Sequence, residues 1–379
     1  MLHIVSRLAR GGAETWLMHV LRRTAGSGMQ MDFATHRGRA GDYEAEARSL
    51  GSRVVCVGRP LWAASYVRNL ARALRAWGPC DVVHCHVPYV GGLALWVAHQ
   101  RGVPVRVCHV HSDLADREAA AGRAWRVAFR MAKRMIGRYA TSMLFVSERA
   151  ARGFFGSRWA EDPRRRVLPC GIDLSSFRRT GYDAGIRAEL GLAPDSFVLG
   201  HVGRFTEDKN HPFLLDILGE VVREVPSARL LLVGEGAGQP AVQALVARKG
   251  LSGAVLFAGT RDDVPRLLLG AVDAFVLPSK REGVPLAGME AQAAGLPLFL
   301  PFGIAEELDV IPSLITRLPT GATPATWAEA ICLSRGADRI SQGEALAVLE
   351  RSTFNIDRSV ESLLEVYREG LRARRGADV

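Results

Sequence analysis

The sequence has few cysteines and no long apolar segment, and these two absences exclude several classes of protein. Its six cysteines are scattered through 379 residues without a Cys-x-x-Cys pair, so neither a disulfide framework nor a zinc ribbon is predicted. No uninterrupted apolar stretch approaches the roughly 18 residues that a transmembrane helix needs. The first residues run from a short strand-like segment into Arg7 and Arg10, which is not the pattern of a signal peptide. We therefore expect a cytoplasmic protein in a reducing compartment.

Negative charge is the scarcer sign, with 39 Asp and Glu against 49 Lys and Arg, a net charge of +10. Such a surplus is typical of proteins that bind nucleotide phosphates, phospholipid head groups or nucleic acid, and equally of a solvated Arg-rich surface. No nucleic-acid-binding fold motif accompanies the charge, so we expect no nucleic-acid partner.

Strand-like and helical stretches alternate along the chain in two series, which turn residues and charge in 156–196 separate. The chain of 379 residues is longer than the about 250–300 residues that one hydrophobic core usually supports. The alternation predicts parallel sheets covered by helices, an α/β protein of two Rossmann-like domains facing each other across a cleft. The predicted domains are 1–173 and 174–355, followed by a helix in 356–379 that packs back towards the first.

One stretch, Pro278 to Pro297, together with the apolar run before it, predicts the order strand, loop, helix, strand. An apolar run before it indicates a buried strand, and good helix formers follow Pro285. Pro285 suits a first helical turn, and Gly295 suits the left-handed residue that ends a helix.

This stretch carries two acids, Glu282 in the loop and Glu290 on the helix. Both are expected at the carboxyl edge of the sheet, where open α/β folds bind ligands. Backbone N–H groups at the start of the helix favour a phosphate there, so the unit could bind both a phosphate and a polyol.

Arg204 and Lys209 lie in a predicted loop between a strand and a helix of the second series. A pyrophosphate needs two such cations, Arg as a planar fork and Lys as a movable point charge. The alternative is a pair of solvated loop charges. In the first series, Gly11 and Gly12 let backbone approach a ligand closely, although a simple turn explains them as well.

Two histidine pairs end consecutive predicted strands, His84 with His86 and His109 with His111. Strand alternation puts both members of a pair on one face, which is a possible zinc arrangement. No carboxylate or thiolate completes a ligand set, and strand-end histidines also form local hydrogen bonds. A third interpretation is contact with a sugar hydroxyl, for which His111 is preferred and His109 is its rival.

Residues 123–138 predict a basic amphipathic helix with six Lys and Arg and no acid. Such a helix could lie on an anionic membrane at the inner face, or it could simply pack on the sheet.

The sequence resembles the retaining glycosyltransferases of family 4, which have the GT-B fold. The Glu282-x7-Glu290 signature is the most specific part of the resemblance, and Met289-Glu290-Ala291-Gln292 is similar to the branch that builds exopolysaccharides and capsules. The other motifs are Gly11-Gly12-Ala13-Glu14, Asp81-Val82-Val83-His84-Cys85-His86, Leu168-Pro169-Cys170-Gly171-Ile172-Asp173, Gly203-Arg204-Phe205, Lys209-Asn210-His211 and Arg261-Asp262-Asp263-Val264-Pro265.

The resemblance implies roles for these residues. Arg204 and Lys209 would bind the donor diphosphate, Glu290 would hold the ribose, and Glu282 would face the donor sugar. Either His111 or His109 would contact that sugar, and the Gly11-Gly12 loop would close over the phosphates and acceptor. Further substrate-binding positions are Gly203, Gly283, Val284, Pro285 and Leu286. No metal and no cofactor is expected.

The implied function is retaining transfer of a sugar, from UDP by family frequency, to a glycan, lipid-linked or small-molecule acceptor. A non-hydrolysing nucleotide-sugar epimerase and a non-catalytic nucleotide-sugar-binding subunit are the alternatives. Two positions depart from the family pattern. Cys170 stands where Asn is usual, and Phe302 replaces a small polar residue.

Overall fold

The computed structural model describes residues 1–36, 38, 40–58, 63–178, 185–338 and 340–377. The chain divides into two compact units, and Ile172 and Asp173 fall in the second. Unit 1 comprises Met1–Gly171 with Ile356–Val379, and unit 2 comprises Ile172–Asn355. Part of the predicted link, 179–184, lies outside the described residues.

Unit 1 contains a parallel sheet with helices between its strands. The strands are β1 (Leu2–Val5), β2 (Asp32–Thr35), β3 (Val54–Cys56), β4 (Val82–Cys85), β5 (Val105–Val110), β6 (Ser142–Phe145) and β7 (Arg165–Val167). The helices are α1 (Gly12–Thr24), α2 (Glu44–Ser49), α3 (Ala63–Ala76), α4 (Pro88–Gln100), α5 (Ala115–Ala120), α6 (Arg123–Tyr139) and α7 (Glu148–Phe155). The strand order is β3-β2-β1-β4-β5-β6-β7.

Unit 2 repeats this plan. Its strands are β8 (Phe197–Val202), β9 (Ala228–Val233), β10 (Val255–Gly259), β11 (Ala274–Val276), β12 (Leu298–Pro301) and β13 (Ile315–Leu318). Its helices are α8 (Gly185–Glu189), α9 (His211–Glu224), α10 (Gln239–Arg248), α11 (Val264–Gly270), α12 (Leu286–Ala293), α13 (Pro324–Leu333) and α14 (Gln342–Arg351). The order is β10-β9-β8-β11-β12-β13, again with parallel neighbours.

The predicted α/β class is confirmed, and both sheets have the doubly wound order in which the direction of strand succession reverses. The reversal lies between β1 and β4 in unit 1 and between β8 and β11 in unit 2. Ligands of open α/β sheets bind at such a point, outside the carboxyl ends of the strands. Central strands such as β9 are apolar on both faces because helices cover both.

Three local features differ from the sequence-based expectation. The strands β7 and β13 were not predicted, and each forms an edge of its sheet. Pro285 is the N-cap residue of α12 instead of part of its first turn, with extended backbone at φ −71° and ψ 112°. Gly295 does follow α12 in the left-handed region, at φ +70°.

The last helix, α15 (Ile356–Ala377), belongs to unit 1. It packs against α1, where the Trp16 indole N–H donates to Ser359 Oγ at 3.0 Å and Arg23 pairs with Asp357 at 2.8 Å. Within the described ranges, no helix has both the length and the apolar character needed to cross a membrane.

Candidate active site

In unit 2 the site residues lie on two loops that flank the reversal of strand order. The first loop follows β8 and contains Arg204 and Lys209, and the second follows β11 and contains Glu282. Because β8 and β11 are hydrogen-bonded neighbours, both loops leave the same edge of the sheet side by side. The loop with Arg204 and Lys209 therefore lies beside the loop with Glu282, as the sequence suggested.

Lys209 and Glu282 form an ion pair across the two loops. Their side chains are only 17% and 15% exposed, so solvent screens this pair less than an ordinary surface pair. The Lys209 stem runs over Gly203, where an added Cβ would lie 2.9 Å from Lys209 Cε. A side chain at position 203 would thus force the lysine stem to move.

Two further ion pairs continue this contact outward, and we call the three together the charge ladder. Asp208 pairs with Arg281 at 2.7 Å, and Glu207 pairs with Lys280 at 3.4 Å. Every pair joins residues 73 positions apart. A backbone hydrogen bond of 2.8 Å, which the Lys280 N–H donates to the Asp208 carbonyl, reinforces the charge ladder. The ladder fixes the register of one loop against the other.

Arg204 differs from Lys209 in its surroundings. It is exposed, and its guanidinium has no partner among the residues that the structure describes. Beside it, the Phe205 N–H donates to the Glu235 carbonyl at 3.0 Å, which holds the loop backbone against the turn after β9. The loop is thus anchored while the arginine side chain remains available to an anion.

Glu290 lies on α12, a helix whose N-terminus has no side-chain cap. Gly283 and Pro285 in the preceding loop are buried, and Val284 and Leu286 are half-buried. Burial raises the pKa of Glu290 from its usual 4.5 to about 7. Its carboxyl has no hydrogen-bond partner in the described part of the chain. This combination suits a group that accepts hydrogen bonds from a bound hydroxyl.

Gln292, two residues further along α12, is fully buried and hydrogen-bonded. Its Nε2 donates to the Leu308 carbonyl at 2.8 Å, and its Oε1 accepts from the Ile311 N–H at 2.9 Å. The side chain therefore ties α12 to the segment after β12, which gives a structural reason for a glutamine beside Glu290.

We expect Gln292→Ala to lower the free energy of unfolding by about 1–3 kcal/mol for each backbone group left unpaired. Urea denaturation of the variant measures this loss. Gln243→Ala is the matched control, because Gln243 is an exposed glutamine on α10. Equal midpoints for the two variants would contradict the anchoring role of Gln292.

In unit 1, Gly11 and Gly12 lie between β1 and α1. Gly11 is the N-cap residue and provides no side-chain cap, and Gly12 begins the helix and is exposed. The backbone of this turn is therefore accessible, as the predicted close approach to a ligand requires. No contact in unit 1 by itself identifies that ligand.

The predicted histidine pairs of unit 1 form one cluster at the strand reversal, together with His3 of β1. His84 and His86 are stacked with ring centroids 4.1 Å apart, and His109 and His111 lie 4.2 Å apart. His3 is the register partner of His84 and stacks on His86 at 5.3 Å. The expectation that each pair shares one face is confirmed.

The cluster is held by hydrogen bonds to neighbouring groups. His109 Nε2 donates to the Leu168 carbonyl at 3.1 Å, and His84 Nδ1 lies 2.6 Å from the Tyr367 hydroxyl. His109 is fully buried, whereas His111 is partly exposed. Of the two rivals for sugar contact, His111 is thus the accessible ring.

Burial disfavours the charged form of these rings. It lowers the pKa of His3 and of His111 to about 3, and the pKa values of His84, His86 and His109 fall well below the usual range. Neighbouring imidazoles add to the effect in His84, His86 and His109. Three buried ring nitrogens, His3 Nε2, His84 Nε2 and His109 Nδ1, have no partner among the described residues.

Sequence reasoning missed three contributors to these sites. Asp208 and Arg281 carry no motif, and only their spacing of 73 positions, shared with Lys209 and Glu282, could have linked them. His3 stands alone in a short strand. Its position beside His84 depends on β1 lying next to β4.

Comparison with known proteins agrees with this geometry. A family model described as Glycosyltransferase Family 4 matches residues 10–176, and one described as Glycosyl transferases group 1 matches residues 196–332. The putative glycosyltransferase EpsF of Bacillus subtilis (strain 168) is 35% identical over 375 residues, covering 97% of this chain and 96% of that protein. The chain belongs to glycosyltransferase family 4.

A further relative and a solved structure are consistent with this family assignment. A D-inositol 3-phosphate glycosyltransferase of Segniliparus rotundus is 27% identical over 335 residues, covering 84% of this glycosyltransferase and 69% of the relative. The crystal structure of HepE of Anabaena with UDP and glucose matches with a TM-score of 0.80 at 18% identity, covering 96% and 98% of the two chains. At that identity the likeness shows the fold, which is GT-B, with two Rossmann-like units in one chain.

Proposed function

We propose that this glycosyltransferase moves a sugar from a nucleotide sugar, with UDP as carrier, to a hydroxyl of a glycan, lipid-linked or small-molecule acceptor, with retention of configuration. The observation that carries the proposal is the convergence of Lys209 and Glu282 at the strand reversal of unit 2, on loops that also contain Arg204 and lead into the helix of Glu290. Cations, an uncapped helix and an unpaired carboxyl meet the needs of a diphosphate and a ribose.

The choice of UDP is supported by a relative of known structure. HepE, which shares the fold, was crystallised with UDP and glucose. In our chain, Arg204 and Lys209 would bind the two phosphates, and Glu290 would accept hydrogen bonds from the ribose hydroxyls. The backbone of Gly203, Gly283 and the residues up to Leu286 would line the donor.

The proposed reaction needs no side-chain nucleophile. The bond from the anomeric carbon to the phosphate oxygen breaks, and the acceptor oxygen bonds to that carbon on the same face. The acceptor proton passes to the departing diphosphate. Arg204 and Lys209 stabilise the negative charge that develops there, as preorganised charges do in other active sites. With this charge supplied by side chains, we expect full activity in the presence of a chelator.

A thermal-shift screen of UDP-, GDP- and ADP-sugars tests the donor, because a ligand that binds only the folded state raises its stability. NMR analysis of the product with the stabilising donor then tests the reaction. A glycoside with the donor's anomeric configuration supports the proposal. An isomerised nucleotide sugar would indicate an epimerase, and binding without turnover a non-catalytic subunit.

We further propose that α6 contacts an anionic lipid surface at the inner membrane face. The helix packs against α4 and buries Phe129, Ala132 and Ile136. Its outer side exposes Val127 and Met131 at 54% and 57%, among arginines and without an acidic residue. Apolar side chains amid basic ones are typical of helices that lie in the membrane interface.

We expect the variant Arg130→Gln/Arg134→Gln to bind vesicles with one third phosphatidylglycerol about 30-fold more weakly. Each basic residue near an anionic surface contributes about 1 kcal/mol. The matched control is Arg223→Gln/Arg248→Gln, which removes two exposed arginines of unit 2. Vesicle co-sedimentation measures both. Equal loss in the two variants would show that net charge, instead of α6, governs binding.

A further inference from the structure

Three histidines and a cysteine of unit 1 form a continuous line of polar contacts, which we call the histidine chain. His3 Nδ1 lies 3.0 Å from His86 Nε2, and His86 Nδ1 lies 2.8 Å from His111 Nε2. His111 Nδ1 then lies 3.5 Å from Cys170 Sγ. His86 uses both ring nitrogens, so it couples its two neighbours.

The chain has only two possible directions. Burial lowers the pKa of all three rings, and a neutral imidazole carries one N–H and one lone pair. If His3 donates to His86, then His86 must donate to His111, and His111 carries its proton on Nδ1. If the direction reverses, every proton moves to the other nitrogen, and His111 carries its proton on Nε2.

The inner end of the histidine chain, at His3, decides between the two directions. His3 is fully buried, and its Nε2 has no partner among the described residues. In the reversed direction this atom would be an unpaired N–H, whereas in the direction towards His111 it is an unpaired lone pair. Among buried backbone groups, an N–H without a partner is rarer than an acceptor without one, and we apply the same order to the ring nitrogens. The outward direction is therefore favoured.

The outer end of the chain is the part that a ligand can reach. His111 is partly exposed, while His3, His86 and Cys170 are at most 9% exposed. The Cys170 sulfur, 3.5 Å from His111 Nδ1, is a weak acceptor and its S–H a weak donor, so this contact does not select a direction. A hydroxyl oxygen is a stronger acceptor, so a sugar hydroxyl can take the place of the sulfur.

We propose that His86 and His3 are positioning residues that hold His111 in the Nδ1–H tautomer, from which it donates to a hydroxyl oxygen of the sugar substrate. The inference rests on the proposed function for the identity of that substrate. His86 contacts no substrate. It acts through His111, by accepting from His3 and donating to His111.

Members of the histidine chain also belong to two possible metal-ligand groups, His3 with His84 and His86, and His86 with His109 and His111, each with ligand atoms within 4.8 Å of one another. The distances between ring nitrogens favour the hydrogen-bonded histidine chain over a metal site. Two nitrogens bound to one tetrahedral zinc are about 3.4 Å apart at the usual bond lengths, whereas His86 Nδ1 and His111 Nε2 are at 2.8 Å, a hydrogen-bond distance. His86 also directs its other nitrogen to His3.

The test is nitrogen NMR of the full chain with ring-labelled histidine, which distinguishes protonated from unprotonated nitrogens. Loss of a signal in His111→Gln assigns the ring. In the natural protein we expect His111 protonated on Nδ1 alone. In His86→Leu we expect a mixture of tautomers and a fall of about tenfold in kcat/KM for the donor, the worth of about one hydrogen bond.

His86→Asn should restore the tautomer and kcat/KM in large part, because its amide nitrogen stands near the position of His86 Nδ1 and can still donate to His111 Nε2. His99→Gln, at an exposed histidine of α4, is the control and should change neither. The natural protein alone gives the tautomer, so the test survives if His86→Leu does not fold.

Three results would overturn the inference. They are an Nε2–H tautomer of His111 in the natural protein, an unchanged tautomer in folded His86→Leu, and a shift of the His86, His109 and His111 signals on adding one equivalent of Zn²⁺. The tautomer is read without turnover, so a failure of this inference is separate from a failure of the proposed donor or reaction.

Discussion

Lys209→Ala is expected to lower turnover by about a hundredfold or more, because it removes a preorganised positive charge from the departing diphosphate. The structure adds a second cause. Glu282 would lose its partner and remain as an unpaired, largely buried carboxylate in the proposed donor site. Such a charge repels the diphosphate, so the KM for the donor should rise as kcat falls.

Steady-state kinetics with the donor identified by thermal shift measure both effects. Lys249→Ala is the control, because Lys249 pairs with Asp216 on the surface of the same unit. The double variant Lys209→Ala/Glu282→Gln should regain donor affinity but not turnover. A near-normal kcat in Lys209→Ala would reject the role of this lysine.

Glu290→Gln is expected to have opposite effects on donor affinity and on stability. Hydrogen bonds to a charged group contribute about 1.5–3 kcal/mol, so the affinity for the nucleotide should fall about 10- to 100-fold. Burial raises the pKa of Glu290 to about 7 in the folded protein. Its ionisation therefore destabilises the ligand-free fold, and a neutral glutamine removes that cost.

The sign of the pH dependence follows from this raised pKa. The carboxyl stabilises the fold relatively most below pH 4.5, and this advantage is lost as pH rises through about 7. Ligand-free Glu290→Gln should thus unfold at a higher temperature than the natural protein at pH 8, with little difference at pH 5. In the natural protein, nucleotide affinity should weaken from pH 8 to pH 6, because protonation removes acceptor capacity.

Calorimetric titration at the two pH values and thermal melts of the ligand-free proteins check these expectations. Glu329→Gln, at an exposed acid of α13, is a control for loss of one negative charge. A variant with the same pH slope of affinity as the natural protein would show that another group titrates.

Part of the candidate site in unit 2 was predictable because two of its acids are close in the sequence. Glu282 and Glu290 lie in one strand-loop-helix unit, and the turn signals around them, Gly295 among them, are strong. Pro285 was misplaced by one position because a proline's fixed φ suits the N-cap residue as well as the first turn.

The edge strands were not predictable for the opposite reason. β7 is three residues long and contains Arg165 and Arg166, and β13 contains Arg317. At the edge of a sheet a strand needs little apolar character, and charge there discourages pairing with another chain. Composition alone therefore indicated a link and loops where the backbone completes each sheet.

The histidine chain required tertiary structure altogether. Sequence alternation predicted that His84 and His86 share a face, but His3 joins them only because β1 lies beside β4. Cys170 comes from a turn far along the chain, and it is the thiol that the sequence had not placed near any histidine. Strand order, which no local pattern specifies, assembled the cluster.

The charge ladder has a consequence for protein engineering. Its two sides have opposite signs at every rung, acid-acid-base in 207–209 against base-base-acid in 280–282. Transplanting one loop from an enzyme with a different charge pattern would place unmatched charges against the resident loop. The two segments should therefore be exchanged as one cassette, and libraries that vary both together should yield more active chimeras than those that vary either alone.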